Sequence, residues 1–127
     1  MTLLPRRKVL ITGAAGGMGR ACARLFGAAD DLVLTDVSAA SLDKFADELR
    51  TDGYNVAAHA GDMSDDALIA ALVEDVSAGG KPFAVVHTAG LSPALADWQP
   101  ILQVNLVATE KLLRALEQPW CPAPCWC

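Results

Sequence analysis

Val9-Leu10-Ile11-Thr12-Gly13-Ala14-Ala15-Gly16-Gly17-Met18-Gly19 is the stretch on which the fold turns. Its first four residues form a short apolar run with no polar interruption, the pattern of a strand buried on both faces. The glycines that follow let the backbone turn tightly and come close to an anion. Met18, Ala21, Cys22, Leu25 and Phe26 then recur at helical spacing and predict a helix with one apolar stripe. A strand, a glycine-rich turn and a helix in that order place free N–H groups and the positive end of a helix dipole at the turn, which suits a pyrophosphate.

Working outward, the same alternation repeats. Leu32-Val33-Leu34-Thr35 reads as a second buried strand closed by Asp36. Leu42, Phe45, Ala46 and Leu49 share one face of a second helix, capped by Ser38 or Ser41 and stopped at Gly53. Asn55-Val56-Ala57-Ala58-His59 is a weaker third strand. Ser64 is expected to cap a third helix carrying Leu68, Ala71, Leu72 and Val76, which ends at Gly79-Gly80. Phe83-Ala84-Val85-Val86-His87 is a fourth strand. Asp97 opens a fourth helix reaching about Glu117, with Pro100 tolerated in its first turn. Four strand–helix repeats predict a doubly wound α/β fold, a three-layer αβα arrangement around a parallel sheet ordered 3-2-1-4.

Asp36 stands 17 residues beyond Gly19, close to the roughly 20 expected of the acid that binds an adenosine ribose. A carboxylate there accepts hydrogen bonds from ribose hydroxyls and repels a 2′-phosphate. Neither Gly16 nor Val37 supplies a basic residue to offset it, so the residues favour NAD over NADP. A triphosphatase-type phosphate loop is excluded, because Met18, Gly19 and Arg20 stand where Lys followed by Ser or Thr is required.

Bulk properties bound the rest. The 127 residues fit one domain, and 53% hydrophobic content suffices for a core. A net charge of −5 argues against a general binder of nucleic-acid backbones. No segment approaches the ~20 apolar residues of a membrane span, and Arg6-Arg7-Lys8 leads into a strand rather than a secretory leader. The expectation is a cytoplasmic protein. Residues 1–118 read as the dinucleotide-binding domain. Residues 119–127 carry three prolines, three cysteines and two tryptophans and read as an irregular tail. Cys121, Cys125 and Cys127 fit no zinc spacing, so no metal site is expected.

These residues resemble the short-chain dehydrogenase/reductase family over about residues 8–117. Thr12-Gly13, Gly17-Met18-Gly19, Asp36, Gly61-Asp62-Met63, His87-Thr88-Ala89-Gly90 and Val104-Asn105-Leu106 fit that family's ordered motifs. The resemblance implies a cofactor site formed by Gly13, Ala15, Gly17, Met18, Gly19, Asp36, Val37, Asp62, Met63, Thr88, Ala89 and Gly90. It implies Asn105 as the one member present of a catalytic set, and hydride transfer between NAD and an alcohol or carbonyl substrate. It also implies a Ser and a Tyr-x-x-x-Lys. The chain's one tyrosine is Tyr54, and its i+4 neighbour is Ala58, so the chain is expected to be an N-terminal fragment with little activity alone. Thr88 replaces the family's asparagine, which implies a weaker brace in the sheet. Gly16, Asp62-Met63-Ser64-Asp65, His87 and Asn105-Leu106-Val107-Ala108-Thr109 also suit the extended, epimerase-like type, and a non-catalytic binding protein is a further alternative.

Other residues read as structural. His59 and His87 sit at strand ends without converging ligands. Asp30-Asp31 is expected in a solvated turn, and Asp65-Asp66 in a helix's first turn, where the dipole favours acids. Trp98 is expected to pack. In the fourth helix Ile101, Val104, Ala108, Leu112 and Ala115 predict a core face. Leu102, Leu106, Leu113 and Leu116 predict a second apolar face that would bring chains together as a homo-oligomer.

Overall fold

The chain's most apolar runs become four parallel strands, β1 (Lys8–Thr12), β2 (Asp31–Asp36), β3 (Val56–Ala60) and β4 (Ala84–His87), in the expected order β3-β2-β1-β4. The computed structural model describes residues 6–120. Side chains of successive strand residues point to opposite faces, and both faces are covered. Val9, Ile11, Leu32 and Leu34 pack under α1 (Gly17–Gly27) and α2 (Ala39–Thr51). Leu10 and Val33 pack under α3 (Asp66–Ser77) and α5 (Ala108–Trp120). The switch point lies between β1 and β4, whose connections leave toward opposite faces.

Helix α2 buries its expected face, Leu42, Phe45, Ala46 and Leu49, and Ser38 caps it by accepting from the Ser41 N–H. Helix α1 does not. Its buried residues are Gly19, Ala23 and Gly27, with Cys22 and Phe26 half-buried, while Met18 and Leu25 are more than two-thirds exposed. Small residues bring the helix axis close to the sheet, so the buried stripe is the one without bulk. The cap of α3 is Asp65, which accepts from the Ala67 N–H. Ser64 is instead held by Asp62, to which both its N–H and its hydroxyl donate at 2.8 Å. Asp66 lies in the first turn of α3 as expected and pairs with Lys111.

The fourth helix departs most from its expected form. A short α4 (Trp98–Leu102) passes through one π-helical turn, Gln103–Val107, into α5. The wider turn shifts the register, so the buried face is Ala108, Leu112 and Leu116. Leu116 therefore belongs to the core, whereas Leu102, Leu106 and Leu113 are exposed as expected. Trp98 does not pack, being 67% exposed. Helix α5 runs through Pro119 to Trp120, past the boundary set at 119. Residues 121–127, with Cys121, Cys125 and Cys127, lie outside the described residues.

Asp30 is buried rather than solvated. It sits 2% exposed and pairs with Arg7 Nε at 2.7 Å, which offsets the cost of taking its charge from water. The Arg7 guanidinium also lies 3.5 Å over the Phe83 ring. Asp31 opens β2 and pairs with Arg6. His59 meets Asp75, which Lys8 also contacts. Burial pushes the Asp75 carboxyl up, but the hydrogen bonds from His59 and Lys8 outweigh it and hold it below the usual range.

Candidate functional site

A cleft of about 200 Å³ opens at the carboxyl ends of the strands. Its walls come from the loops after β1, β2, β3 and β4. Of the candidate cofactor residues, Gly13, Asp36, Val37, Met63, Thr88, Ala89 and Gly90 line it, joined by Gly16, Thr35 and Gly61. Thr35, which is fully buried beneath the cleft, carried no signal in the sequence, because its place there depends on where β2 ends relative to its neighbours.

The three motif glycines do separate jobs. Gly13 has φ +64°, and a Cβ there would stand 2.8 Å from the Thr88 carbonyl carbon and the Ala89 nitrogen. Its turn thus lets the β1 loop pass against the β4 loop. A Cβ on Gly19 would drive into the Gly13 carbonyl oxygen and stand 2.7 Å from Ala14 Cα. A Cβ on Gly17 would meet nothing within 4 Å, so that face of the loop lies open. Gly17 and Met18 begin α1, where the first N–H groups have no intrahelical acceptor. Gly17, Met18, Gly19 and Ala15 rim the loop without lining the cleft.

Asp36 ends β2 and fastens the loop. Its Oδ2 accepts from the Ala15 N–H and its Oδ1 from the Ser38 N–H, each at 3.0 Å. The Ala15 carbonyl accepts from Arg20 Nε at 2.8 Å, so Ala15 is held on both sides. Each carboxylate oxygen keeps a lone pair for a further donor. Val37 beside it is exposed, and Met63 forms a buried apolar wall. Asp62 is turned to Ser64 and does not line the cleft.

The segment after β4 is braced throughout. Thr88 Oγ1 donates to the Thr12 carbonyl at 2.7 Å, so the threonine supplies a tie between β1 and β4. Asn105 lies in the π-helical turn, away from the cleft lining. Its Oδ1 accepts from the Leu91 N–H and its Nδ2 donates to the Leu91 carbonyl, both at 2.8 Å. His87 bridges the Thr12 and Thr109 hydroxyls, and burial pulls its pKa below the usual histidine value. Among the described residues no cluster of His, Cys, Asp and Glu could hold a metal, and no helix is long and apolar enough to cross a membrane.

A larger hollow of about 740 Å³ lies on the outer surface of α1 and α2. Within it Arg24 pairs with Glu48 and Asp52, while Asp47 pairs with Arg50 outside the lining. Tyr54 is at the far end of the sheet, with its ring against Gly27 and its hydroxyl donating to the Arg24 carbonyl.

Parallel sheet order, helices on both faces and a glycine turn after β1 together define a Rossmann-like α/β fold. Residues 7–120 match the short chain dehydrogenase family, and the chain belongs to it. It is 32% identical over 103 residues to a short-chain dehydrogenase/reductase of Alternaria brassicicola, covering 81% of this chain and 38% of that protein. Among solved structures, a 3-oxoacyl-[acyl-carrier protein] reductase of Brucella melitensis with bound NAD superposes with TM-score 0.73. It is 33% identical, over 87% of this chain and 47% of that one. The actinorhodin polyketide ketoreductase with NADPH gives TM-score 0.78 at 25% identity, over 90% and 47% of the two chains. The chain thus spans about half the length, or less, of these relatives.

Proposed function

We propose that this chain forms the NAD-binding half of an oxidoreductase that moves a hydride between the nicotinamide and an alcohol or carbonyl carbon. The observation that carries the reading is Asp36, which lines the cleft and holds the Ala15 N–H of the glycine turn, with neither Gly16 nor Val37 supplying a basic side chain. The residues present fit the cofactor. Gly17 leaves room for a pyrophosphate over the start of α1, Asp36 has lone pairs for ribose hydroxyls, and Met63 offers an apolar wall to adenine. The cleft of about 200 Å³ is smaller than a whole small-molecule pocket of roughly 300–1,000 Å³. It therefore suits the adenosine half best. Bound there, NAD supplies the hydride acceptor. The chain's own residues bind and orient it, Thr88, Ala89 and Gly90 forming the wall opposite Asp36. Asn105 acts here through the Leu91 backbone that it grips.

Calorimetry should show NADH binding more tightly than NADPH. Asp36→Ala should weaken NADH by about 1–3 kcal/mol, the scale of a charge-assisted hydrogen bond. Because the same carboxylate holds Ala15 and Ser38, part of that loss should appear as a looser glycine loop. NADPH binding at least as tight as NADH would remove Asp36 from this role.

We also propose that the chain self-associates. Leu102, Leu106 and Leu113 are about half exposed or more, and among the described residues β4 pairs only with β1, leaving its other edge bare. Sedimentation at micromolar concentration should show dimers or larger species. Leu106→Glu combined with Leu113→Glu should shift them toward monomer, and a parent chain that is already a stable monomer would refute the expectation.

A further inference from the structure

His87 sits in a chain of hydrogen bonds whose direction can be worked out from the groups at its two ends. At one end, the Asn105 carbonyl can only accept, so the Thr109 hydroxyl, 2.9 Å away, must donate its single hydrogen there. Thr109 Oγ1 then has only lone pairs left for His87 Nε2 at 2.8 Å, and Nε2 must carry a proton. At the other end, the Ala89 N–H can only donate, and it does so to Thr12 Oγ1 at 3.2 Å. The Thr12 hydroxyl keeps its own hydrogen for His87 Nδ1, 2.6 Å away. A neutral imidazole with its proton on Nε2 satisfies every link at once.

The ends of this chain matter for the cleft. Ala89 is held by Thr12, and Leu91 by the Asn105 side chain. The wall segment Ala89-Gly90-Leu91 is therefore clamped at both ends. Gly90 fits because a Cβ there would come within 3.2 Å of Asn105 Oδ1. His87 links one clamp to the helical turn that carries the other.

We propose that His87, as the neutral Nε2–H tautomer, is a positioning residue that locks the two clamps of this wall together and makes cofactor affinity fall in acid. The proposal rests on the cofactor reading above. Protonating Nδ1 would turn the ring from acceptor to donor at the 2.6 Å contact with Thr12, which is fully buried. The Thr12 hydroxyl, already accepting from the Ala89 N–H, would have to turn its hydrogen away from the ring that accepts it. The ring's hydrogen-bond partners, from β1 and from α5, are the Thr12 and Thr109 hydroxyls, neither of which can neutralise an imidazolium, and burial alone lowers its pKa. The sign follows. The unfolded chain takes up the proton below about pH 6.5, and the folded chain only at lower pH. The contribution is thus fully present above about 6.5 and is lost as pH falls from there toward the folded value.

The test uses the 127-residue chain. Long-range proton–nitrogen spectra should place the His87 proton on Nε2 at pH 7.5. NAD⁺ affinity, measured by calorimetry from pH 7.5 down to the lowest pH at which the chain stays folded, should fall, by roughly fivefold to tenfold once His87 is protonated, the scale of one hydrogen bond. In His87→Asn, which does not titrate, affinity should be lower throughout and the fall with pH should vanish. His59 is present in both proteins and cancels. His87→Phe should speed amide exchange at Ala89 and Leu91 about tenfold and leave Ile11 and Val33 unchanged. A proton on Nδ1, parallel pH profiles in parent and His87→Asn, or unchanged exchange in His87→Phe would each overturn the proposal. Absence of NAD⁺ binding by the parent at pH 7.5 would refute the cofactor reading instead, and the spectra and amide exchange would still decide the role of His87.

Discussion

Gly19→Ala is expected to destabilise the chain by roughly 3 kcal/mol and to abolish NADH binding, while Gly17→Ala, two residues away, stabilises the fold and still weakens NADH. The first follows from what a new Cβ meets. At Gly19 it would collide with the Gly13 carbonyl and crowd Ala14 Cα, both backbone atoms of the turn itself. No side-chain rotation relieves such a clash, so the cost falls at the upper end of the roughly 1–3 kcal/mol of overpacking. The turn that moves is the one fastened to Asp36 through the Ala15 N–H, so the cleft deforms with it. Gly17 is the converse case. It lies in the first turn of α1 with nothing within 4 Å of its would-be Cβ, and alanine in a helix gains about 0.5–1 kcal/mol over glycine. If that open face is where a pyrophosphate seats, the added methyl occupies ligand space. Urea unfolding and NADH titration of both variants separate the two roles. Equal NADH affinity in Gly17→Ala and parent would show that the cofactor does not use that face.

These opposed effects show what a sequence can and cannot disclose here. The order of elements, the sheet order and the glycine–acid spacing were legible, because buried strands and turn glycines are local signals. The face of α1 was not, since hydrophobic periodicity picks out Met18 and Leu25, while close packing selects Gly19, Ala23 and Gly27. The register of the fourth helix slipped at Gln103–Val107, because one π-helical turn shifts every later residue and leaves no mark in an apolar pattern. In Asp62-Met63-Ser64-Asp65-Asp66 two capping residues stand side by side, and only the backbone path chooses Asp65. The cleft loops were read from motif order, but the ties that hold them were invisible. Thr12, His87, Thr109 and Asn105 are brought together across β1, β4 and the helix after it, and nothing in their spacing announces that contact.

The other large effect is expected in catalysis: the 127-residue chain should bind NADH and yet oxidise secondary alcohols at least 10²–10⁴-fold more slowly than its longer relatives, the usual contribution of general acid–base help. A carbinol cannot lose its hydride to the nicotinamide unless something takes the hydroxyl proton, and the reverse reaction needs a donor at the same oxygen. No Tyr-x-x-x-Lys occurs in this sequence. Tyr54 cannot substitute, because it packs at the amino ends of the strands against Gly27, with the whole length of the sheet between it and the cleft. His87 cannot substitute either, since both its ring nitrogens are engaged with Thr12 and Thr109. Asn105 has both side-chain polar atoms on Leu91. Among the described residues, Tyr54 is thus remote from the cleft, and His87 and Asn105 are committed to holding its wall. The measurement is NADH formation with a panel of secondary alcohols, run beside a binding titration on the same preparation. Binding without turnover is the expected pair of results. Robust turnover by sequence-verified protein would mean that one of these ties opens when substrate arrives, and Thr109→Val, which removes the hydroxyl linking His87 to the Asn105 carbonyl, would be the first variant to show it.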